Sequence, residues 1–201
     1  MELIDYVNFK ASTQSMQSKK REVIYKEYKH NPPHLFRAGS KYFITSSTLD
    51  RHHYLKSDEA KTATLNILEK SFFHFNWKIE DWVILDNHIH IMVEASEHAD
   101  TLPKVMNNFH KFTANWLSKN GIKKIKNKYF HNYWDTCITY QSSYLARLNY
   151  IWFNPVKHGY VENPEYWKFG SYYYRFKNKS NEMMDIIKNY SYEKLQIYDD
   201  F

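Results

Sequence analysis

The sequence predicts an α+β fold in which helices pack on an antiparallel sheet. Two observations carry that reading. Segments with strand and helix character follow one another as strand, helix, two strands, helix, strand, helix, an order that suits an antiparallel sheet better than a parallel one. The two central strands are separated only by Asp86-Asn87, too short a link for anything but a hairpin. No Gly/Ser-rich or Pro-rich stretch divides the 201 residues into comparable halves, so one domain with decorated ends is expected.

The elements follow in order. Residues 1–34 form a basic N-terminal arm or short helix, with Lys10, Lys19, Lys20, Arg21, Lys26 and Lys29, that breaks at Asn31-Pro32-Pro33. Aromatic and β-branched side chains make Lys41–Leu49 the first strand. Ser57 followed by Asp58 and Glu59 reads as a capped helix start, and Ala60, Ala63, Leu65, Ile67 and Leu68 give that helix an apolar surface to about Phe75. Strands over 77–85 and 88–95 follow, joined by Asp86-Asn87, a pair that tolerates left-handed backbone angles.

From Thr101 the spacing of Leu102, Val105, Met106, Phe109, Phe112 and Trp116 is helical, and Asn120-Gly121 closes the element. A lysine-rich loop (Lys123, Lys124, Lys126, Lys128) leads to a strand near 133–140 and a helix over about 142–153. Pro155 disfavours helical geometry at its neighbour, which places Asn154 at or just beyond the last turn. A further helix is predicted near 182–190.

Composition narrows the partners. Twenty-eight Lys and Arg against 22 acidic residues give a formal charge of +6, which favours polyanions. Aromatic residues reach 18%; each ring by itself is best read as core, yet unpaired bases also stack on such faces. Cys137 is the only cysteine, so an intrachain disulfide and a cysteine-based zinc site are both excluded. The polar start Met1-Glu2-Leu3-Ile4-Asp5-Tyr6 is unlike a signal peptide, and no apolar run approaches a membrane span. A cytoplasmic protein without a membrane partner is expected.

Chemistry is concentrated in two motifs. In the strand His88-Ile89-His90 the two imidazoles project from one face while Ile89, Ile91 and Val93 turn to the other. Such a pair is half a metal site, or simply the polar side of a strand. The second motif is Tyr150 with Asn154-Pro155-Val156-Lys157-His158-Gly159. If the helical turn persists through Asn154, Tyr150 and Asn154 share a face, with Arg147 three residues back. By residue type alone Tyr150, one of 18 tyrosines, reads as a core ring.

Together these motifs resemble the REP-associated tyrosine transposases, relatives of the single-tyrosine insertion-sequence transposases of the HUH superfamily. The resemblance runs from about Pro32-Pro33-His34-Leu35-Phe36 to Trp167-Lys168-Phe169-Gly170-Ser171. It implies a ferredoxin-like fold and a catalytic domain over 35–176, with 177–201 as a C-terminal helical extension. It also implies a metal-dependent endonuclease and strand transferase that recognises hairpin or repeat DNA. His88, His90 and Asn154 would hold a divalent cation, Mg2+ or Mn2+, and Tyr150 would be the nucleophile that forms a 5′-phosphotyrosine.

Arg147, Lys157, His158, His110 and the loop lysines Lys123, Lys124, Lys126 and Lys128 are candidate DNA contacts. The loop reads equally well as solvated surface. In the compact transposases of this superfamily the tyrosine helix lies close to the chain end and is exchanged between subunits. Here 51 residues follow Tyr150, which favours a monomer over a homodimer, and such a protein would work at the nucleoid.

Two rival readings stand beside this one. A domesticated relative could bind DNA hairpins without cutting, although it would have no reason to keep all four of His88, His90, Tyr150 and Asn154. An unrelated metallohydrolase would need a general base near the histidines, and Glu94 is the strand candidate on their face.

Overall fold

The structure, a computed structural model, describes residues 23–28, 31–176, 187, 189–193 and 195, with side chains from residue 35 onward. Its elements are β1 (Val23–Tyr28), β2 (Asn31–Arg37), β3 (Lys41–Ser47), α1 (Asp58–His74), β4 (Lys78–Ile84), β5 (His88–Glu94), α2 (Leu102–Lys119), β6 (Trp134–Ile138), α3 (Gln141–Lys157) and α4 (Ser171–Phe176).

Four strands form an antiparallel sheet in the order β4-β5-β3-β6. With α1 between β3 and β4 and α2 between β5 and β6, this is the ferredoxin-like arrangement that the resemblance implies. Strand alternation divides the sheet into two buried faces. On one, Tyr42, Ile44, Trp82, Ile84, Ile89, Ile91 and Val93 pack with Leu68 and Phe72 of α1 and with Val105, Met106 and Phe109 of α2. The other face sets Phe43, Val83 and Met92 against Tyr144, Leu148, Tyr150 and Ile151 of α3. The histidine face of β5 is therefore not a solvent face, and all but the last residue of the strand are buried.

Local chemistry explains most of the boundaries. Ser57 caps α1 by accepting from the Ala60 N–H at 3.1 Å, with Asp58 and Glu59 in the first turn. Pro103 sits in the first turn of α2, where its missing N–H is not needed. No helix among the described residues is long and apolar enough to cross a membrane.

Three expectations need correction. Residues 23–28 and 31–34, read from sequence as part of an arm that breaks at Asn31-Pro32-Pro33, belong to two strands, Val23–Tyr28 and Asn31–Arg37, that pair as an antiparallel ribbon. A two-stranded ribbon has only edge strands, where proline is tolerated because one side of each strand needs no N–H donor. Tyr42 ties the ribbon to β3: its hydroxyl accepts from Arg37 N at 2.6 Å and donates to Leu35 O at 2.8 Å.

The second correction concerns α3, which continues through Asn154 and Pro155 to Lys157. Pro155 leaves the Ile151 carbonyl without its usual donor, a loss worth about 3 kcal/mol in an isolated helix. Pro155 is nevertheless buried, beside a small cleft that Val83, Trp152, Pro164 and Trp167 also line.

The third is the Asp86-Asn87 turn, in which neither residue has a positive φ. Left-handed angles occur instead at Asp50 and Arg51 in the neighbouring loop. Within 1–34, the structure describes only the backbone of 23–28 and 31–34. Most of 177–201, including most of the helix predicted near 182–190, lies outside the described residues.

Candidate active site

The turn before His88 is anchored from three sides. Asp86 is buried and accepts from Lys61 Nζ at 2.6 Å, an ion pair that is itself almost fully enclosed. Its backbone carbonyl accepts from Leu55 N at 2.9 Å, and the Asn87 carbonyl accepts from Thr48 N at 2.8 Å. These contacts fix the start of β5, and with it the direction of the first histidine.

His88 Nδ1 lies 2.7 Å from the side-chain oxygen of Asn87. A carbonyl oxygen only accepts, so Nδ1–H donates to Asn87. The other nitrogen, Nε2, also faces an amide oxygen, Asn154 Oδ1 at 3.1 Å. The second histidine, His90, is fully buried and has its Nδ1 3.0 Å from the hydroxyl of Thr45, its cross-strand neighbour. The two imidazole rings are 5.0 Å apart, centre to centre.

This donor set fits a divalent cation. Without a cation this contact is an Nε2–H donating to Asn154 Oδ1, and a bound cation would take the place of that proton between the two donors. A spacing of roughly 3 Å is that of adjacent donors around one small cation with ligands at about 2.1 Å. Nitrogen and oxygen donors suit Mg2+ only in part and Mn2+ better. Among the described residues no group of three or more His, Cys, Asp or Glu side chains gathers as a metal site, so the amide of Asn154 is what would complete the histidine pair.

Helix α3 brings Tyr150 to the same place. Its ring lies 5.1 Å from that of His90 and edge-on to Phe43, which itself stacks on His90. Lys157 Nζ stands 3.3 Å from the Tyr150 hydroxyl and 4.8 Å from its ring centre, where an ammonium compensates negative charge on the phenolic oxygen. His158, at the end of α3, has its ring 5.0 Å from His88. Gly159 then takes φ of +71°, which closes the helix in a left-handed turn. Tyr150 is only 2% exposed because Tyr192 packs edge-on against it at 5.4 Å. Asn149 holds that C-terminal segment by donating to the Tyr190 carbonyl at 2.9 Å.

The sequence-predicted residues thus divide. His88, His90, Tyr150, Asn154, Lys157 and His158 come together in one cluster. Arg147 does not join them: its guanidinium lies over Phe43 at 5.7 Å and donates to Ser143 Oγ. His110 lies on the opposite face, its Nε2 2.7 Å from Ser46 Oγ and its ring stacked flat on Phe130. Burial pushes its pKa down to about 4, so at neutral pH it is no cation for a phosphate. Lys123, Lys124, Lys126 and Lys128 are exposed, with Lys126 paired to Asp50 at 2.6 Å.

Glu94 is bound to Lys41 at 2.7 Å, four residues and roughly 13 Å along the strand from His90. That placement removes the general base a metallohydrolase would need. Sequence reasoning missed the roles of Asn87 and Thr45. Asn87 was legible as the neighbour of His88, but Thr45 becomes a neighbour only through strand register.

Comparison with known proteins identifies the family. The family described as "Transposase IS200 like" matches residues 36–151. The chain belongs to the IS200-like transposases. Among its relatives is a Haemophilus influenzae protein provisionally named a REP-associated tyrosine transposase, 27% identical over 69% of this chain and 82% of that one. The Escherichia coli REP-associated tyrosine transposase is 28% identical over 48% of this chain and 55% of its own length. The solved structure of a REP-associated tyrosine transposase bound to a REP hairpin superposes with a TM-score of 0.60 at 20% identity, covering 74% of this chain and 84% of that chain. For this IS200-like transposase, the resemblance read from the two motifs and the ferredoxin-like fold are both met.

Proposed function

We propose that this IS200-like transposase is a divalent-cation-dependent endonuclease and strand transferase acting on single-stranded DNA beside a hairpin or repeat. The observation that carries this reading is the gathering of His88 Nε2 and Asn154 Oδ1 at 3.1 Å, with the Tyr150 ring next to His90. The names of the relatives, and the REP hairpin in the structurally similar protein, favour hairpin DNA as the substrate.

The residues divide the work as follows. His88, His90 and Asn154 would hold the cation, which when bound supplies charge to offset the oxygens of the scissile phosphate. Tyr150 attacks the phosphorus; the new bond is Tyr150 Oη–P and the bond broken is P–O3′. The strand 3′ of the break stays on the enzyme through its 5′-phosphate as phosphotyrosine, and the strand 5′ of the break leaves with a free 3′-hydroxyl, its oxygen gaining one proton as the phenol loses one. Lys157 compensates charge on the phenolic oxygen in both directions. Reversal with a different 3′-hydroxyl joins a new strand, so the transfer needs no external energy source. A phosphate reaches Tyr150 only when Tyr192 gives way.

The test is covalent capture. A labelled hairpin oligonucleotide with a single-stranded flank, incubated with the protein and Mg2+ or Mn2+, should yield a labelled protein band that survives denaturing gels. Addition of a chelator should remove it. Retained DNA binding without any such band, in either ion and across a library of flanks, would establish the non-cleaving reading instead.

Asn87 provides a second test. Asn87→Ala removes the acceptor that sets the protonation of His88 while leaving all three proposed ligands in place. Affinity for Mn2+, followed by titration calorimetry, is expected to fall roughly 10- to 100-fold. An unchanged affinity would mean that Asn87 does not orient His88.

A further inference from the structure

Arg147 stands outside the cluster of site residues, but only one ring away from it. It precedes Tyr150 by three residues on α3, roughly 4.5 Å along the helix axis, and its guanidinium lies 5.7 Å over the ring of Phe43. Phe43 in turn stacks on His90 at 5.4 Å and meets Tyr150 edge-on at 6.3 Å. A single aromatic ring therefore separates this cation from a proposed metal ligand and from the proposed nucleophile.

What sets Arg147 apart is the lack of a counter-ion. Among the described residues, the lysines and arginines that are not exposed are Lys41, Lys61, Arg147 and Arg175. Lys41 faces Glu80 and Glu94, Lys61 faces Asp86, and Arg175 faces Asp81. Arg147 has only the carbonyl and hydroxyl of Ser143, both bonded to Nη1, while its Nε is buried without an acceptor. Burial lowers its pKa, and no acid opposes that shift. A charge withdrawn from water is ordinarily paired, because desolvation without a partner is costly. The Phe43 ring compensates only part of it. With Nη1 tied to Ser143, the edge left over is that of Nε and Nη2, whose parallel N–H groups match two oxygens of one phosphate. A carboxylate would also satisfy the charge, but a phosphodiester is the anion that the cleavage site already brings to the next ring.

We propose that Arg147 binds a backbone phosphate directly flanking the scissile one and so holds the single strand in line for attack by Tyr150. This rests on the reading of His88, His90 and Tyr150 as the cleavage site. Nε, like Tyr150, is covered, and the phosphate reaches it with the strand that displaces Tyr192. A phosphate contact carries no sequence information, so Arg147 sets register while the choice of bases falls to other residues.

The experiment has two readouts, both with the full chain and in the presence of chelator, so that no cleavage intervenes. In the first, a fluorescently labelled oligothymidylate is titrated at several salt concentrations. Arg147→Gln should weaken binding roughly tenfold and make the slope of log affinity against log salt shallower by about 0.7, the amount for one single-strand phosphate. Arg147→Lys should keep the slope. An unchanged slope in Arg147→Gln would overturn the proposal and leave the guanidinium as a cover over Phe43. The second readout places the phosphate: in the hairpin oligonucleotide that gives covalent capture, each phosphate in turn is replaced by a neutral methylphosphonate. Replacement beside the cleaved position should weaken binding by wild type and have no further effect on Arg147→Gln. Coupling at distant phosphates alone, or at none, would overturn the proposal. Failure of capture by wild type would instead remove the cleavage reading and with it the flanking position, while the salt slope still decides whether Arg147 holds a phosphate.

Discussion

Tyr150→Phe is expected to leave a folded, DNA-binding protein that forms no covalent DNA adduct. The ring stays in place against His90 and Phe43, and the substitution removes only the hydroxyl and its 3.3 Å contact with Lys157. Stability should therefore change by no more than about 1 kcal/mol. Strand cleavage should fall by at least roughly a thousandfold, since no neighbouring group replaces a lost nucleophile at comparable rate. Labelled adduct on a denaturing gel measures the loss, and thermal unfolding checks that the fold persists. Tyr192, whose ring lies 5.4 Å from that of Tyr150, is the informative control. An undiminished adduct in Tyr150→Phe that disappears in Tyr192→Phe would move the nucleophile to the C-terminal segment.

Asp81→Ala is expected to have the largest effect on stability. Asp81 is completely buried on β4, where Oδ1 accepts from Trp152 Nε1 at 3.0 Å and Ser171 Oγ at 2.8 Å. Arg175 lies 3.4 Å from Oδ2. One carboxyl thus joins the sheet to α3 and α4, and its removal leaves two buried donors without an acceptor. The expected cost is about 3 kcal/mol or more, read from the midpoint of chemical denaturation. A loss under about 1 kcal/mol would mean that water or a neighbouring group takes over both donors.

The same group has a pH signature. Burial holds the Asp81 pKa above the ordinary carboxylate range, against the opposing pull of Arg175. A carboxyl whose folded pKa is raised binds its proton more tightly in the folded chain. Its contribution is complete below the unfolded pKa of about 3.9 and is lost as pH rises through the folded value. Wild type measured against Asp81→Asn should therefore lose relative stability as pH climbs from about 4. A difference that grows with pH would show that Arg175 dominates and that Asp81 is ionised in the fold.

How far the site was legible depends on the kind of information each residue carries. His88 and His90 announce themselves because strand periodicity is local: residues two apart share a face whatever the fold. Tyr150 and Asn154 were legible only on condition that the helix passed a pre-proline residue. The condition holds: α3 continues past Asn154 with Pro155 buried in its last turns, which helical phase alone does not announce. Arg147 shared the right helical face, yet its guanidinium lies over the Phe43 ring that stacks on His90 and bonds back to Ser143. Helical phase specifies a direction, and a neighbouring ring decides what stands there.

His110 shows the opposite case. Its place on the polar side of an amphipathic helix suggested a surface contact, yet Ser46 and Phe130 take up both its ring nitrogen and its face. Neither partner is adjacent to it in the chain. Residues 23–34 were misread because proline and lysine argue against a central strand and say little about a two-stranded ribbon, whose outward N–H groups need no partner.

By itself the sequence determined the order of strands and helices from β3 to α3, most of the apolar face of α2 (Phe112, read as part of it, is 50% exposed), the histidine pair and the two motifs that place the chain among its relatives. All of these follow from side-chain chemistry repeated at short range. Only the tertiary structure decided which face α3 covers, that Asn154 meets His88 across 66 residues, and that Thr45 and Asn87 bond to the two imidazoles. Those facts are strand register and layer packing, in which each residue's neighbours are supplied by the rest of the chain.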